Sequence, residues 1–467
     1  MTTLFEKIWS DHVIADFEPS LALLQIDRHL IHDLVAGPAL TKLAQRGGTV
    51  RSPELTFATV DHAVTSAPGR VWEPGRSGLR LLREMRQRTF ESGIRFFDIG
   101  VEGQGIVHVM APELGISLPG TTIVCGDSHT CTNGALGAIA FGIGSSEVVH
   151  VLATQTLRQR RPYTMRIRYE GAPQRGVTSK DLMMYTIGEF GSGAGQGYAV
   201  EYAGTAIRAL DMEERFTLCN LSIELGAKIG LIAPDDTTFQ YIAGRRFAPR
   251  GELFDSALAY WRSLPSDDEA IFNEEFTVYA EGIAPQITWG TSPQDVIAVT
   301  DRIPDPSAEQ DGAKRRRLEA ALTYMGLTPG APIEGTAVDW VFIGSCANGR
   351  LSDLRAAGRV ARGRKVADRV QAWVVPGSES VKRAAEAEGL HKVFMEAGFK
   401  WREPSCSLCL GANGDAILAP GQRSVSTTNR NFVGRQGKGV RTHLASPAMA
   451  VAAAVTGQIC DVRRLVG

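Results

Sequence analysis

The run Thr122-Ile123-Val124-Cys125-Gly126-Asp127-Ser128-His129-Thr130 changes character twice within a short span. Apolar, β-favouring side chains lead into a glycine and a knot of polar groups, and Ala135 to Leu157 then reads as helix. The order recurs at Trp340-Val341-Phe342-Ile343, then Gly344-Ser345-Cys346, then a helical stretch from Leu351 to Ala361. Val370 to Val375 is a further buried-strand candidate, followed by helix from Ser378 to Gly389. Strand, polar turn and helix in repetition predict an α/β fold with parallel layers, in which ligands gather at the carboxyl ends of strands. Both polar turns fall at such ends.

Outward from these units the punctuation is softer. Arg160-Arg161-Pro162 closes the first helical region, and Ile303-Pro304-Asp305-Pro306 through Arg315-Arg316-Arg317 reads as a polar surface connection. Ser446-Pro447 supplies an N-cap and a first-turn proline to an Ala-rich helix ending near Gly457. Gly191 to Gly197 is a glycine-rich turn; no clean strand precedes it, so it is a poor nucleotide fingerprint.

Composition narrows the function classes. The 467 residues are 43% hydrophobic and 22% charged with a formal net charge of -1, enough chain for several cores and no basic excess to hold a polyanion. Seven cysteines are too few and too unevenly spaced for a secreted disulfide framework, and an odd count favours a reducing compartment. Met1 to Asp11 carries Glu6 and Asp11 and lacks a signal-peptide core. Ala448 to Val455 is far shorter than the roughly 20 residues of a membrane span, so a soluble cytoplasmic protein is expected.

The sharpest chemical signal is Cys406-Ser407-Leu408-Cys409, with Cys346 upstream in Gly344-Ser345-Cys346-Ala347-Asn348-Gly349-Arg350. Three readings stand open. A zinc half-site needs two further ligands, which neither segment offers nearby. A redox dithiol usually opens a helix early in its domain, whereas this pair lies late, after Trp401-Arg402-Glu403-Pro404. All three thiols together can hold a [4Fe–4S] cluster by three irons, leaving one iron without a protein ligand. Cys219 and Cys460 read as packed hydrophobes, while Cys131, beside the Asp127-Ser128-His129 turn, is a conceivable fourth ligand.

Gly344 to Arg350, Pro404 to Cys409, Gly126 to Thr130 and Thr428-Asn429-Arg430-Asn431-Phe432-Val433-Gly434-Arg435 together resemble the aconitase superfamily, in that family's order and over essentially the whole chain. Within it the chain is similar to the separate large subunits that isomerise 2-alkylmalates. The resemblance implies three aconitase-like α/β/α domains with mainly parallel sheets around a central iron–sulfur cluster, at 1–163, 164–290 and 291–467. It implies a hydro-lyase that moves a hydroxyl of a 2-isopropylmalate-type substrate in leucine biosynthesis. It also implies one [4Fe–4S] cluster per chain on Cys346, Cys406 and Cys409. The resemblance further implies that the swivelling fourth domain of single-chain relatives is absent here and is supplied by a separate small subunit, forming a heterodimer or higher assembly.

Read singly, a histidine beside an acid is usually structural. The resemblance instead implies acid–histidine pairs: Asp61 with His62, Asp127 with His108, and His129 with Glu224, with His108 or His129 protonating the departing hydroxyl. It implies Arg430 and Arg435 as carboxylate grips, Asn429 as a donor beside the cluster, and Asn220 and His32 as substrate contacts. Asn220 and Glu224 are one helical turn apart and share a face.

Departures from the family pattern are Ala347 and Gly349 in place of hydroxyl residues, Ser405 in place of glycine, Gly411-Ala412-Asn413-Gly414 in place of a Met-Asn pair, and Asn133 in place of histidine. They leave open a paralogue acting on another 2-substituted malate, of homoaconitase or methylmalate type. Two other classes compete, an RNA-binding form without cluster and a dithiol redox protein. The near-neutral charge argues against the first.

Overall fold

The computed structural model describes residues 1–18, 20–70, 77–410, 413–415 and 418–465; Gly411 and Ala412 of the run after the last cysteine lie outside them. The chain divides into two compact units. One comprises Met1–Val64, Trp72–Gly171 and Gly193–Val278; the other comprises Thr65–Val71, Ala172–Ser192 and Tyr279–Gly467.

The first unit is built on a five-stranded sheet in the spatial order 95–97, 56–59, 28–32, 122–125, 139–142, every neighbouring pair parallel. Strand Thr122–Cys125 is buried at all four positions, as an apolar run covered on both faces should be. Leu30, Phe57, Phe97, Ile123 and Cys125 of this sheet pack against Val107, Met110 and Ala111 of helix Val107–Glu113. Strand order reverses between 28–32 and 122–125, so the crevice at their carboxyl ends is the switch point where such sheets bind ligands. A second sheet in this unit joins the parallel strands Tyr163–Glu170, Tyr198–Ala203 and Ile229–Ile232, with Glu274–Tyr279 at its edge.

The expected helix from Ala135 to Leu157 is not continuous. A 3-10 segment, Ser128–Leu136, gives way to strand Ile139–Gly142, and the α-helix begins only at Ser145. Gly137 is the cause: it ends the first turn at φ +80°, a left-handed conformation that glycine adopts freely. Ile139-Ala140-Phe141 is then free to pair alongside Thr122–Cys125.

The second unit repeats the principle, with order 400–401, 371–374, 340–343, 423–426, 441–444 and every pair parallel. Trp340, Phe342, Trp373 and Val375 form its core with Leu408, Leu418 and Val440. Helices Leu351–Ala361 and Pro447–Thr456 fall where expected, the latter ended by Gly457 at φ +71°. Arg315-Arg316-Arg317 lies inside helix Gly312–Met325 instead of in a connection. Asp311 caps it by accepting from the Ala313 and Lys314 amides, and Leu318, Ala321, Leu322 and Met325 bury one stripe. No helix among the described residues is long and apolar enough to cross a membrane.

Candidate active site

In the first unit, chemistry-bearing side chains rise from successive strand ends. His32 closes strand Arg28–His32; Asp61 and His62 follow Thr56–Thr59; Asp127 and His129 follow Thr122–Cys125. His108 sits in the first turn of Val107–Glu113. His62 Nδ1 lies 2.5 Å from Asp61 Oδ1, and its Nε2 lies 3.4 Å from Asp127 Oδ2. His108 Nε2 lies 3.3 Å from Asp127 Oδ1. His129 Nε2 lies 3.0 Å from Glu224 Oε1, and its Nδ1 lies 3.4 Å from Asp127 Oδ1. Asp127 therefore meets three imidazoles, and it also caps the 3-10 turn by accepting from the His129 amide at 2.7 Å.

The electrostatics follow from that geometry. Burial opposes a charge on Asp127, but hydrogen bonds from His108, His129 and His62 outweigh it and hold the carboxyl well below its usual range. Asp61 is likewise held low: burial works against it, while His62, His32 and the Val107 amide favour the anion. Burial depresses His108, and Asp127 only partly restores its affinity for a proton. Glu224 follows the short turn Leu221–Ile223 at the end of helix Met212–Asn220. Asn220 Nδ2 donates to Thr132 Oγ1 at 2.8 Å, so Asn220 and Glu224 both face the 128–136 segment. His32 is 2% exposed, and its ring centre lies 4.6 Å from that of His62, the two planes tilted by 31°.

Asp33 was not anticipated. It is fully buried and accepts from the His62 and Ala63 amides at 3.2 and 2.6 Å, which shapes the turn presenting Asp61 and His62. Its only sequence signal is adjacency to His32. The ligating atoms of His32, Asp33, Asp61 and His62 all lie within 4.8 Å of one another. Asn133 is a satisfied core residue: it accepts from Ser117 Oγ at 2.7 Å and donates to the Thr130 carbonyl at 2.9 Å.

In the second unit the three thiols also follow strand ends: Cys346 after Trp340–Ile343, Cys406 and Cys409 after Lys400–Trp401. They are 7%, 5% and 6% exposed, and all are free of disulfides. Asn429, just beyond strand Arg423–Ser426, spans two of them: its Nδ2 donates to Cys346 Sγ at 3.5 Å, and its Oδ1 lies 3.7 Å from Cys409 Sγ. An Arg435 guanidinium nitrogen lies 3.6 Å from Cys409 Sγ. Donors aimed at sulfur suit thiolates that bind metal, and an all-sulfur donor set suits iron–sulfur chemistry. Arg430 is partly exposed on the same loop. Cys131 belongs to the first unit, buried, with its sulfur 3.5 Å from the Asn220 carbonyl.

Two further residues support the thiols without any motif to announce them. Lys180, fully buried, donates to the carbonyls of Thr427 and Thr428 at 2.5 and 2.9 Å, directly before Asn429. Thr427 Oγ1 in turn accepts from the Gly344 amide at 2.9 Å, which fixes the turn into Cys346.

A sequence model described as the aconitase family (aconitate hydratase) matches residues 6–457. The 3-isopropylmalate dehydratase large subunit 1 of Bradyrhizobium diazoefficiens is 62% identical over 463 residues, covering 99% of this chain and 97% of that protein. Among solved structures, the holo-form of Thermococcus kodakaraensis aconitase X aligns with a TM-score of 0.48 and 12% identity, over 90% of this chain and 88% of that one.

Proposed function

Because this chain belongs to the aconitase family, we propose that it is the large, cluster-bearing subunit of a hydro-lyase that interconverts 2- and 3-isopropylmalate in leucine biosynthesis. The observation that carries the chemistry is Asn429 reaching both Cys346 and Cys409 among three buried thiols outside any disulfide. The 62% likeness to a 3-isopropylmalate dehydratase large subunit supports the substrate, and the words "large subunit" support a separate small partner.

Cys346, Cys406 and Cys409 are the proposed ligands of one [4Fe–4S] cluster. When bound through three thiolates, such a cluster offers an open iron as Lewis acid to a substrate hydroxyl. Arg430 and Arg435 are assigned to the substrate carboxylates, where a planar guanidinium makes paired hydrogen bonds that an ammonium does not. His32 and Asn220 are assigned as further substrate contacts, and Asn429 orients the ligand sulfurs.

The proton work falls to the acid–histidine cluster. Dehydration needs a donor for the departing hydroxyl and an acceptor for a carbon-bound proton. His129 stands between two carboxylates, Asp127 and Glu224, which put an acceptor beside each of its ring nitrogens. His129, held at both ring nitrogens, is assigned as the donor, and His108, which burial depresses, as the relay. Asp61 orients His62, and Asp127 orients His108 and His129, as carboxylates behind catalytic imidazoles do.

The test is co-expression with the small subunit, anaerobic reconstitution, and assay against a panel of 2-alkylmalates. The proposal expects 2-isopropylmalate to be turned over best. Preference for a 2-substituted malate of another kind would overturn the substrate, and full activity in the single chain would overturn the partner.

A further inference from the structure

We propose that Asp415 is a positioning residue that imposes the metal-receiving shape of the Cys406–Cys409 loop, acting through Ser407. The inference rests on the cluster reading above and extends it to residues that touch no metal.

The loop cannot hold its shape unaided. Ser407, between the two cysteines, sits at φ +44°, a left-handed conformation that a residue with a Cβ adopts reluctantly. Such a conformation persists only where its surroundings over-determine it. Three bonds do so here. The Ser407 amide donates to Ser405 Oγ at 3.2 Å, the Ser407 hydroxyl donates to Asp415 Oδ2 at 2.7 Å, and the same hydroxyl lies 2.9 Å from Ser66 Oγ, itself held by Asp415. The first depends on the serine found where the family usually has glycine.

Asp415 is itself held from several directions. Its side chain is fully buried and accepts from Thr65 Oγ1 and Ser66 Oγ, both at 2.6 Å, from the Ser66 amide at 3.2 Å, and from Arg402 at 3.2 Å. Arg402 also donates to Ser66 Oγ at 3.0 Å and lies over the Trp373 ring. Asn413 closes the hub by accepting from the Asp415 amide at 3.1 Å. A carboxylate with this many donors is immobile, so the hydroxyl it grips is immobile as well. On the far side of Ser407, Leu408 is locked into the apolar core with Trp340, Phe342 and Trp373. The two cysteine sulfurs thus hang from a loop clamped at Ser407 and Leu408, so the protein alone, before any metal binds, sets their spacing.

The experiment uses the full chain reconstituted anaerobically with ferrous iron and sulfide, as wild type, Ser407→Ala, Asp415→Asn and the double variant. Cluster loss to excess chelator is followed by visible absorbance, ligand geometry by visible circular dichroism, and the iron-free forms by thermal melting. Each single variant is expected to lose its cluster about tenfold faster than wild type, the scale of one lost hydrogen bond. The double variant is expected to be no faster than the worse single, because both changes cut one connection. Ser407→Ala is expected to melt like wild type when iron-free, which separates loop positioning from general stability. Loss rates within about twofold of wild type, or a double variant at the product of the singles, would overturn the proposal. A wild-type chain that takes up no cluster would overturn the cluster reading itself.

Discussion

Replacing Asp127 with Asn removes one charge from the centre of the histidine cluster and leaves its shape nearly intact. The new amide oxygen can still accept from the His129 amide, now 2.7 Å from Asp127 Oδ1. What is lost is the attraction between a carboxylate and the imidazolium forms around it. At the 3.3 Å separation of His108, Coulomb's law gives about 5 kcal/mol at an effective dielectric of about 20, a ceiling that relaxation reduces. Carboxylates this close usually move a partner's pKa by about 1–3 units, each worth about 1.4 kcal/mol. Asp127 is among the influences raising His108 against the depressing effect of burial, so His108 falls further in the variant. With the proton donor drawn from this cluster, kcat at neutral pH should drop by about 100-fold. The basic limb of the kcat profile should move to lower pH by about 1–3 units. Iron content should be unchanged, since the thiols belong to the other unit. The assay is kcat against pH for the reconstituted two-subunit enzyme with 2-isopropylmalate. An unmoved limb, together with kcat within about twofold of wild type, would show that the reasoning about proton supply is wrong.

Other outcomes follow from the same structure. His29 and His443 are buried and neutral, each with its pKa lowered from 6.5 to about 3, by desolvation in both and by Arg423 beside His443. Between those values the unfolded chain binds the extra protons, so stability is full above pH 6.5 and falls on acidification by about 1.4 kcal/mol per pH unit for each histidine; His29→Leu should flatten that slope in urea titrations, and an unchanged slope would rule the assignment out. A methyl group on Gly134 would collide with the Gly230 carbonyl, so Gly134→Ala should cost about 3 kcal/mol and displace the segment carrying His129, read as a lower melting temperature with reduced kcat. Arg435→Lys should raise KM by about tenfold or more with a smaller change in kcat, because an ammonium cannot make the paired contacts of a guanidinium; steady-state kinetics showing an unaltered KM would remove Arg435 from the substrate.

The fold was legible wherever local pattern and tertiary outcome agree. Thr122–Cys125 and Trp340–Ile343 are strands because continuous apolar runs bounded by glycine have few alternatives in an α/β chain. Pro447–Thr456 announced itself through Ser446, Pro447 and Gly457. Ile139–Gly142 was hidden because its apolar residues suit helix and strand equally, and only pairing with Thr122–Cys125 decides between them. Arg315 to Arg317 looked like a connection because charge masked the buried stripe that begins at Leu318.

The candidate site divides the same way. Cys406 and Cys409 carry a spacing, and Asp61-His62 and Asp127-Ser128-His129 carry adjacency, so they can be found in one dimension. Asp33, Lys180 and Asp415 act by gripping main chain or hydroxyls far away in sequence: 29 residues for the His62 amide, 247 for the Thr427 carbonyl, 349 for the Ser66 hydroxyl. No motif encodes such a partnership, because any polar residue at the right place in space could serve.

The most direct measurement is the iron and sulfide content of the anaerobically reconstituted chain, with Mössbauer spectra taken before and after 2-isopropylmalate is added. The account predicts about four irons per chain, one of them distinct and shifted by substrate. Alanine at Cys346, Cys406 or Cys409 should abolish both cluster and turnover. Full turnover by an iron-free preparation, or four equivalent irons indifferent to substrate, would contradict it.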